Sequence, residues 1–555
     1  MSTVTKKPGN CDVFVAGGGL AGLSAALQLK QMRPKTSIAV VEKRSLPVPE
    51  VAFKVGESAA EIGSHYLKES IGFKRHMEEE QLRKFSLRIF SSAGVNSDIS
   101  RRPEIGLSRF SPLRTYQLDR GKLENALAEA ASNLGVEVID GHAVADLELG
   151  PDRHRITVKR NGATRDFSPR WIIDASGRAG LLRRRLGLGV DIDHDVNASW
   201  FRVGKRIVVD EWSDDPAWRA RVPSGKRWMS TVQLVGEGYW LWVIPLPSEA
   251  TSIGIVADPR FVPYERIRRY DAMYEWLREN EPQLASELPE SESGLLDFRK
   301  LKKYAYGTRR GLSPQRWALT GEAGLFLDPL YSTGLDFIAI ANTLTTRLIA
   351  GALDGEQDFR RRLKAYNAFY LGQFLGWEPA FRGQYEVFRD AQATAAKVIW
   401  DNAFYFMFPV LLFTKDCITD LDFLASIRRQ IADTHPLNVH MQQGFREVSK
   451  LDVRDAGFPV ASDRGVEDLF EISSQSMSKD DVRERIMWGV DKMSWLAHEF
   501  SERLFEPAGI ELSAPPCERP TDSASGGFVT WVPYSQRTTS PAETQPQPAD
   551  SWMIR

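Results

Sequence analysis

The chain has 555 residues, 42% of them apolar and 26% charged, an ordinary globular composition with room for more than one lobe. A formal net charge of −1 gives no electrostatic reason to expect a nucleic acid or an anionic membrane surface as partner. Cys11, Cys417 and Cys517 lie too far apart for metal-ligand or disulfide spacing, and no apolar leader follows Met1, so a reducing, cytoplasmic location is expected.

Taken in order, an apolar run over Val13–Ala16 leads into Gly17, Gly19 and Gly22, a G-x-G-x-x-G spacing with Leu20 and Ala21 inside it. An amphipathic helical pattern follows. In a strand–turn–helix unit the first glycine makes the tight turn, the second admits a pyrophosphate, and the third lets helix and strand pack closely. The helix N-terminus then offers free N–H groups to the phosphates. A second apolar run, Ser37–Val41, ends in Glu42 with Lys43 beside it. There an acidic side chain accepts ribose hydroxyls. The motif therefore predicts a bound dinucleotide rather than a plain glycine turn.

A loop ending in Gly56-Glu57-Ser58 precedes a predicted helix from Ala59 to about Leu82, and Lys84–Phe90 alternates as a strand. Tyr116–Ala131 reads as a strand end, a turn and a helix carrying Arg120; Trp171–Ile173 is a strand meeting Asp174. Short aromatic strands are expected at Trp228–Val235, Tyr239–Pro245 and Thr251–Ala257, forming an antiparallel sheet inserted at about 195–310. Trp317–Thr320 leads into Gly321, and a helix is predicted from Thr333 through Ile349. The expected fold is α/β: a Rossmann-like nucleotide-binding domain over 1–350 carrying that sheet, then an aromatic helical region over 351–510. The Pro-, Ser-, Thr- and Gln-rich stretch 511–555 is expected to be a disordered tail. The longest apolar stretch, Asn402–Thr414, falls short of the roughly 20 residues of a membrane span and predicts a buried helix.

Further segments carry a resemblance. Tyr116-Gln117-Leu118-Asp119-Arg120, Asp174-Ala175-Ser176-Gly177-Arg178 and Gly321-Glu322-Ala323-Gly324 with Asp328-Pro329 resemble the remaining cofactor segments of FAD-dependent aromatic hydroxylase-type enzymes. Glu322 stands where that group usually has Asp, so Asp328 is the expected contact. An NAD dehydrogenase has no reason to repeat such turns. Trp240-Leu241-Trp242-Val243-Ile244-Pro245 matches the W-x-W-x-I-P motif of flavin-dependent halogenases. Gly56-Glu57-Ser58 resembles their G-E-[AS] loop, Lys84 follows Glu57 by 27 positions, close to where they place their essential lysine, and Asp328–Gly334 resembles their segment beside flavin and halide.

The resemblance implies FAD, used as FADH2, with O2 and chloride or bromide as co-reactants. Gly17, Gly19, Leu20, Ala21, Gly22, Glu42, Lys43, Gly56, Glu57, Arg120, Asp174, Gly321 and Asp328 would hold the cofactor. Lys84 would deliver the halogen, Ser332, Thr333 and Gly334 would form a halide nest, and Trp240 and Trp242 would keep the substrate from the flavin. On local sequence alone Lys84 also fits a surface lysine, the tryptophans a packed strand, and Ser332 or Thr333 a helix cap. Tyr331 replaces the glutamate of tryptophan-specific members, which points to phenols, pyrroles or carrier-bound groups. No second G-x-G-x-x-G follows a strand, so a separate flavin reductase is the expected partner. The competing readings are a monooxygenase without halide chemistry and a non-catalytic flavoprotein.

Overall fold

The computed structural model describes residues 9–50, 55–92, 94, 96–451, 459–462, 473–510, 517 and 530–533. From the N-terminus, β1 (Gly9–Ala16), α1 (Leu20–Met32) and β2 (Ile38–Val41) form the first strand–helix–strand unit, followed by β3 (Leu87–Ser91) and β4 (Glu104–Ile105). Next come α2 (Arg120–Asn133), β5 (Glu137–Ile139), β6 (Ala163–Asp174) and β7 (Asn197–Val203). The middle of the chain contributes β8 (Thr231–Gly236), β9 (Tyr239–Pro245), β10 (Thr251–Ala257), α3 (Tyr270–Asn280), β11 (Asp297–Lys302) and β12 (Trp317–Leu319). The helices α4 (Gly334–Asp354), α5 (Phe359–Trp377), α6 (Ala391–Tyr405), α7 (Leu421–Lys450) and α8 (Lys479–Phe500) complete the set that frames the site.

The first sheet holds β5, β2, β1, β6 and β12 side by side and parallel. Its central strands are apolar on both faces: Val13, Val15 and Val40 pack with Leu23 and Leu27 of α1, while Phe14, Ala16 and Ile172 pack on Leu147, Ile156 and Val158 of an antiparallel hairpin and on Leu182. Strand order changes direction between β1 and β6, whose last residues Ala16 and Asp174 lie in register. Such a switch point opens a crevice at the C-terminal strand ends, and the glycine turn sits there.

The second sheet runs β11-β7-β10-β9-β8-β3-β4. Every residue of β7 through β10 is buried, and alternation sorts them into two faces. Phe201, Leu234, Tyr239, Leu241, Val243 and Ile255 pack under α3 with Trp276 and Leu277. Trp200, Gln233, Trp240, Trp242 and Ile244 point to the other side, into a cavity.

Several expectations change. The second sheet is not confined to 195–310: β3 and β4 join it from earlier in the chain, and β3 pairs parallel with β8. The helix expected over 59–82 is broken into Glu61–His65, a π-helical turn Tyr66–Ser70 and Lys74–Glu80, with left-handed Gly72 ending the second piece. Lys84 lies in an irregular break before β3, not in a strand. The C-terminal helices share one buried cluster with the nucleotide-binding layer, from Val13 and Leu23 through Leu335 to Trp400 and Phe445, so no core boundary falls at 350. The tail expectation lies mostly outside the described residues; within them Thr530–Pro533 is a strand paired with Pro459–Ser462. The segment Ala391–Thr414 is long and apolar enough to cross a membrane, but 89% of its most apolar window is buried inside the protein.

Candidate active site

A cavity of ≈ 370 Å³ runs from the glycine turn to the inner face of the second sheet. At its phosphate end, Gly17 adopts φ +117°, and a Cβ there would lie 2.2 Å from the Ala175 carbonyl oxygen. A Cβ on Gly22 would lie 1.9 Å from Gly17 O. Both glycines therefore set the turn, while Gly19, Leu20 and Ala21 line the cavity. The first intrahelical donor of α1 is Leu23 N, to Gly19 O, which leaves the N–H groups before it without helical acceptors. Arg120 at the start of α2 also lines the cavity, where Nη1 donates to Val55 O (3.0 Å) and Gly56 O (3.2 Å).

Two buried polar atoms on the cavity wall have no partner among the described residues. Gln233 donates Nε2 to Leu330 O, which fixes its amide orientation and leaves Oε1 an unsatisfied acceptor. Trp200 Nε1 is an unsatisfied donor. Buried groups left so are unfavourable unless a ligand completes them. Backbone amides and an arginine at one end, and orphaned polar atoms among Trp240, Trp242, Phe326 and Phe337 at the other, fit a dinucleotide bearing a polar-edged ring system.

Gly56, Glu57, Gly321 and Asp328 line this cavity too, but the two carboxylates face protein donors. Glu57 Oε1 accepts from Arg202 Nε at 2.5 Å. Asp328 Oδ2 accepts from Tyr385 OH (2.6 Å), His194 Nε2 (2.7 Å) and Tyr304 OH (3.2 Å), and Oδ1 from Leu330 N (3.0 Å). Tyr385 OH in turn accepts from Trp240 Nε1 at 2.7 Å, so Asp328 braces Trp240. Besides Gly17 and Gly22, three sequence-predicted contacts lie off the cavity. Asp174 receives Ser176 N and Leu182 N and caps its own turn. Glu42 receives Gly18 N at 2.9 Å and Arg44, and Lys43 is exposed.

A second, smaller cavity (≈ 50 Å³) is lined by Glu61, Lys84, Phe85, Tyr331, Thr333, Trp377, Asp401, Tyr405 and Phe406, among others. Thr333 lines both cavities. Lys84 spans the same divide from the other side: its Nζ donates to Ser58 Oγ at 3.1 Å, and Ser58 lines the larger cavity. The lysine is 7% exposed, which excludes a surface role. Burial pushes its pKa below the ordinary lysine value, opposed by the negative charges of Glu61 and Asp336. Tyr331 OH donates to Asp401 Oδ2 at 2.8 Å, within a buried set completed by Lys397 and Gln442.

Ser332 has φ +60°, an uncommon backbone for a serine, and lines the larger cavity beside Thr333 and Gly334. Neither side chain caps α4: the N-cap Thr333 makes no capping bond, and its Oγ1 points to Asp328 O at 3.3 Å. The first helical donor is Phe337 N to Thr333 O, so the amides of the preceding turn have no helical acceptor. Trp240 and Trp242, 5.6 Å apart between ring centroids, line the larger cavity and not the lysine pocket. Sequence reading missed Glu61, Trp200 and Gln233, while Trp377 belongs to the aromatic C-terminal helices expected to supply the substrate pocket. For Trp200 and Gln233 the two-residue alternation of their strands was the available signal.

Residues 10–247 match the family described as FAD binding domain. Among characterised relatives, a flavin-dependent halogenase of Dictyostelium discoideum is 27% identical over 393 residues, 64% of this chain and 63% of that protein. The chain thus spans under two thirds of that relative's length. The 1H-pyrrole-2-carbonyl-[peptidyl-carrier protein] chlorinase of Pseudomonas fluorescens is 28% identical over 58% of this chain and 72% of its own. In three dimensions the halogenase PltM aligns with a TM-score of 0.63 at 16% identity, covering 88% of this chain and 96% of that one.

Proposed function

We propose that this chain is an FAD-dependent oxidoreductase of the flavin-dependent halogenase type, within the hydroxylase-type FAD superfamily, and that it places chlorine or bromine on an electron-rich aromatic ring. The observation that carries this reading is Lys84 at the junction of the two cavities, with Ser58 on the cofactor side and aromatic side chains on the other. Bound in reduced form, FAD supplies the oxidising chemistry with O2 that turns a halide into an electrophile. The chain's own residues do the rest. Ser332 N is already bonded to Pro329 O, so the amides of Thr333 and Gly334 hold the halide at a helix N-terminus. Trp240, braced by Tyr385, and Trp242 fill the cofactor end and keep the substrate ring out of it. Lys84 presents N–H donors to the oxygen of a hypohalous acid and aims the halogen at the ring.

The pocket beyond Lys84 is apolar and aromatic, which favours a phenol, a pyrrole or the aromatic acyl group of a carrier protein, and a separate flavin reductase supplies FADH2. The test is a reaction with a flavin reductase, FAD, O2, bromide or chloride and a phenol trap, read by mass spectrometry. The wild type is expected to yield halogenated product. Lys84→Ala should lose about 10²–10⁴-fold in rate, the range of a positioned proton donor, while retaining the flavin absorbance. Halogenation by that variant at the wild-type rate would remove Lys84 from the mechanism. NADPH oxidation by the isolated protein, stimulated by the phenol and indifferent to halide, would instead make it a monooxygenase.

A further inference from the structure

The lysine pocket contains a second charged group that the halogen-delivery role leaves unused. Glu61 follows the Gly56–Ser58 loop at the first position of the short helix Glu61–His65, and it lines the small cavity with Lys84, Phe85, Trp377 and Phe406. Its carboxylate has no hydrogen bond or ion pair from another side chain among the described residues; only its own backbone N–H donates to it, and Lys84 acts on it as a charge. The other acids near the pocket differ. Asp401 receives Tyr331, Lys397 and Gln442, and Asp336 receives Gly63 N and Tyr405 OH. Glu61 alone of the three presents an open acceptor to an apolar, aromatic-walled space. Burial holds its pKa above the ordinary carboxylate value, opposed by the charge of Lys84 and by its own backbone N–H.

A carboxylate in such a position selects for what can donate to it. A site built to receive an O–H or N–H rejects analogues lacking that donor far more strongly than an apolar pocket discriminates size, because its polar group is then left unpaired. We propose that Glu61 is the substrate-recognition residue of this pocket, accepting a hydrogen bond from an O–H or N–H borne directly on the aromatic ring. This rests on the reading of the Lys84 pocket as the place where the substrate ring is held. The ring donor meets Glu61 on one side while Lys84 approaches from another, so one contact fixes which carbon faces the lysine. The cavity as it stands is smaller than the ~150 Å³ that admits a benzene ring, so entry requires its aromatic lining to shift. A pocket that must open for its ligand gains selectivity from the one polar contact that rewards opening.

Equilibrium binding to the FAD-loaded oxidised protein tests this without any turnover. Two ligand pairs are titrated calorimetrically: phenol against methoxybenzene, and pyrrole against N-methylpyrrole. The wild type is expected to bind the donor of at least one pair tenfold or more tightly than its methylated analogue, and the pair that does so identifies O–H or N–H. In Glu61→Leu the ratio should fall to within twofold, and Glu61→Gln, which keeps an acceptor oxygen, should fall between. Flavin absorbance and FAD affinity equal to wild type mark both variants as folded; if Glu61→Leu fails that control, Glu61→Gln alone must still reduce the ratio. No preference in the wild type, or an unchanged ratio in the folded variants, overturns the proposal. A collapsed ratio in a protein that never halogenates would leave Glu61 as a recognition residue and refute the halogenase reading separately.

Discussion

Asp336 shows how a buried side chain near the site sets a pH response. On the first turn of α4, it receives Gly63 N at 2.8 Å and Tyr405 OH at 2.7 Å. These donors favour the ionised form, yet burial outweighs them and pushes its pKa up to about 7. The folded value thus lies above the unfolded one of 3.8. Between those two pH values the folded chain keeps a proton that the unfolded chain has lost. The stability contributed by this group is full below pH 3.8, declines through the window, and is gone above about 7. Asp336→Asn mimics the protonated acid, with its oxygen accepting from Gly63 and its amide donating to Tyr405 OH. The variant should therefore show a flatter stability profile and, at pH 8, exceed the wild type by on the order of a few kcal/mol. Urea unfolding across pH 4–8 measures this, and parallel profiles for the two proteins would contradict the assignment.

At the scale of elements, two glycines in helices predict opposite outcomes for the same substitution. Gly22 sits in the first turn of α1, where a Cβ would lie 1.9 Å from the backbone oxygen of Gly17. Backbone cannot step aside as a side-chain tip can, so Gly22→Ala should cost about 1–3 kcal/mol and weaken FAD binding tenfold or more. Gly372 lies in α5 with nothing within 4 Å of a built Cβ. Gly372→Ala should stabilise the protein by about 0.5–1 kcal/mol and leave FAD affinity unchanged. Chemical denaturation with flavin fluorescence reads both effects; a shift of the same sign in the two variants would break the argument. The glycine turn was legible in sequence because all of its constraints lie within a few residues. Lys84 was read as part of a strand because Lys84–Phe90 alternates. The ladder instead starts only at Leu87, since Lys84 N bonds Thr115 O and Phe85 N bonds Met229 O, partners with no sequence signal. Nothing in the sequence singles out Glu61 within the helix expected from Ala59 to about Leu82. Only the break of that helix after His65 and the packing of Tyr405 and Phe406 above it make a pocket there.

Across the whole molecule, aromatic runs bounded by turn residues marked the strands of the second sheet, but they could not say what each face would meet. Asp328 is the clearest case: His194, Tyr304 and Tyr385 converge on it from three distant segments, so a carboxylate that lines the larger cavity also ties those segments to the helical region. The larger cavity has the same character. Its walls come from the glycine turn of the first sheet, the inner face of the second, and the start of α4. A ligand that fills it touches every layer, and a ligand that binds only the folded state adds RT ln(1 + [L]/Kd) to stability. FAD at 100 times its dissociation constant should therefore add about 2.7 kcal/mol to unfolding of the whole described core rather than of one lobe. Because one continuous buried cluster joins the nucleotide-binding layer to the C-terminal helices, flavin release and loss of tryptophan fluorescence should occur in a single transition. Thermal unfolding followed at both signals, with and without added FAD, decides the point. Coincident midpoints that rise together with FAD are expected; a tryptophan transition that ignores FAD would show that the C-terminal helices fold independently of the cofactor layer.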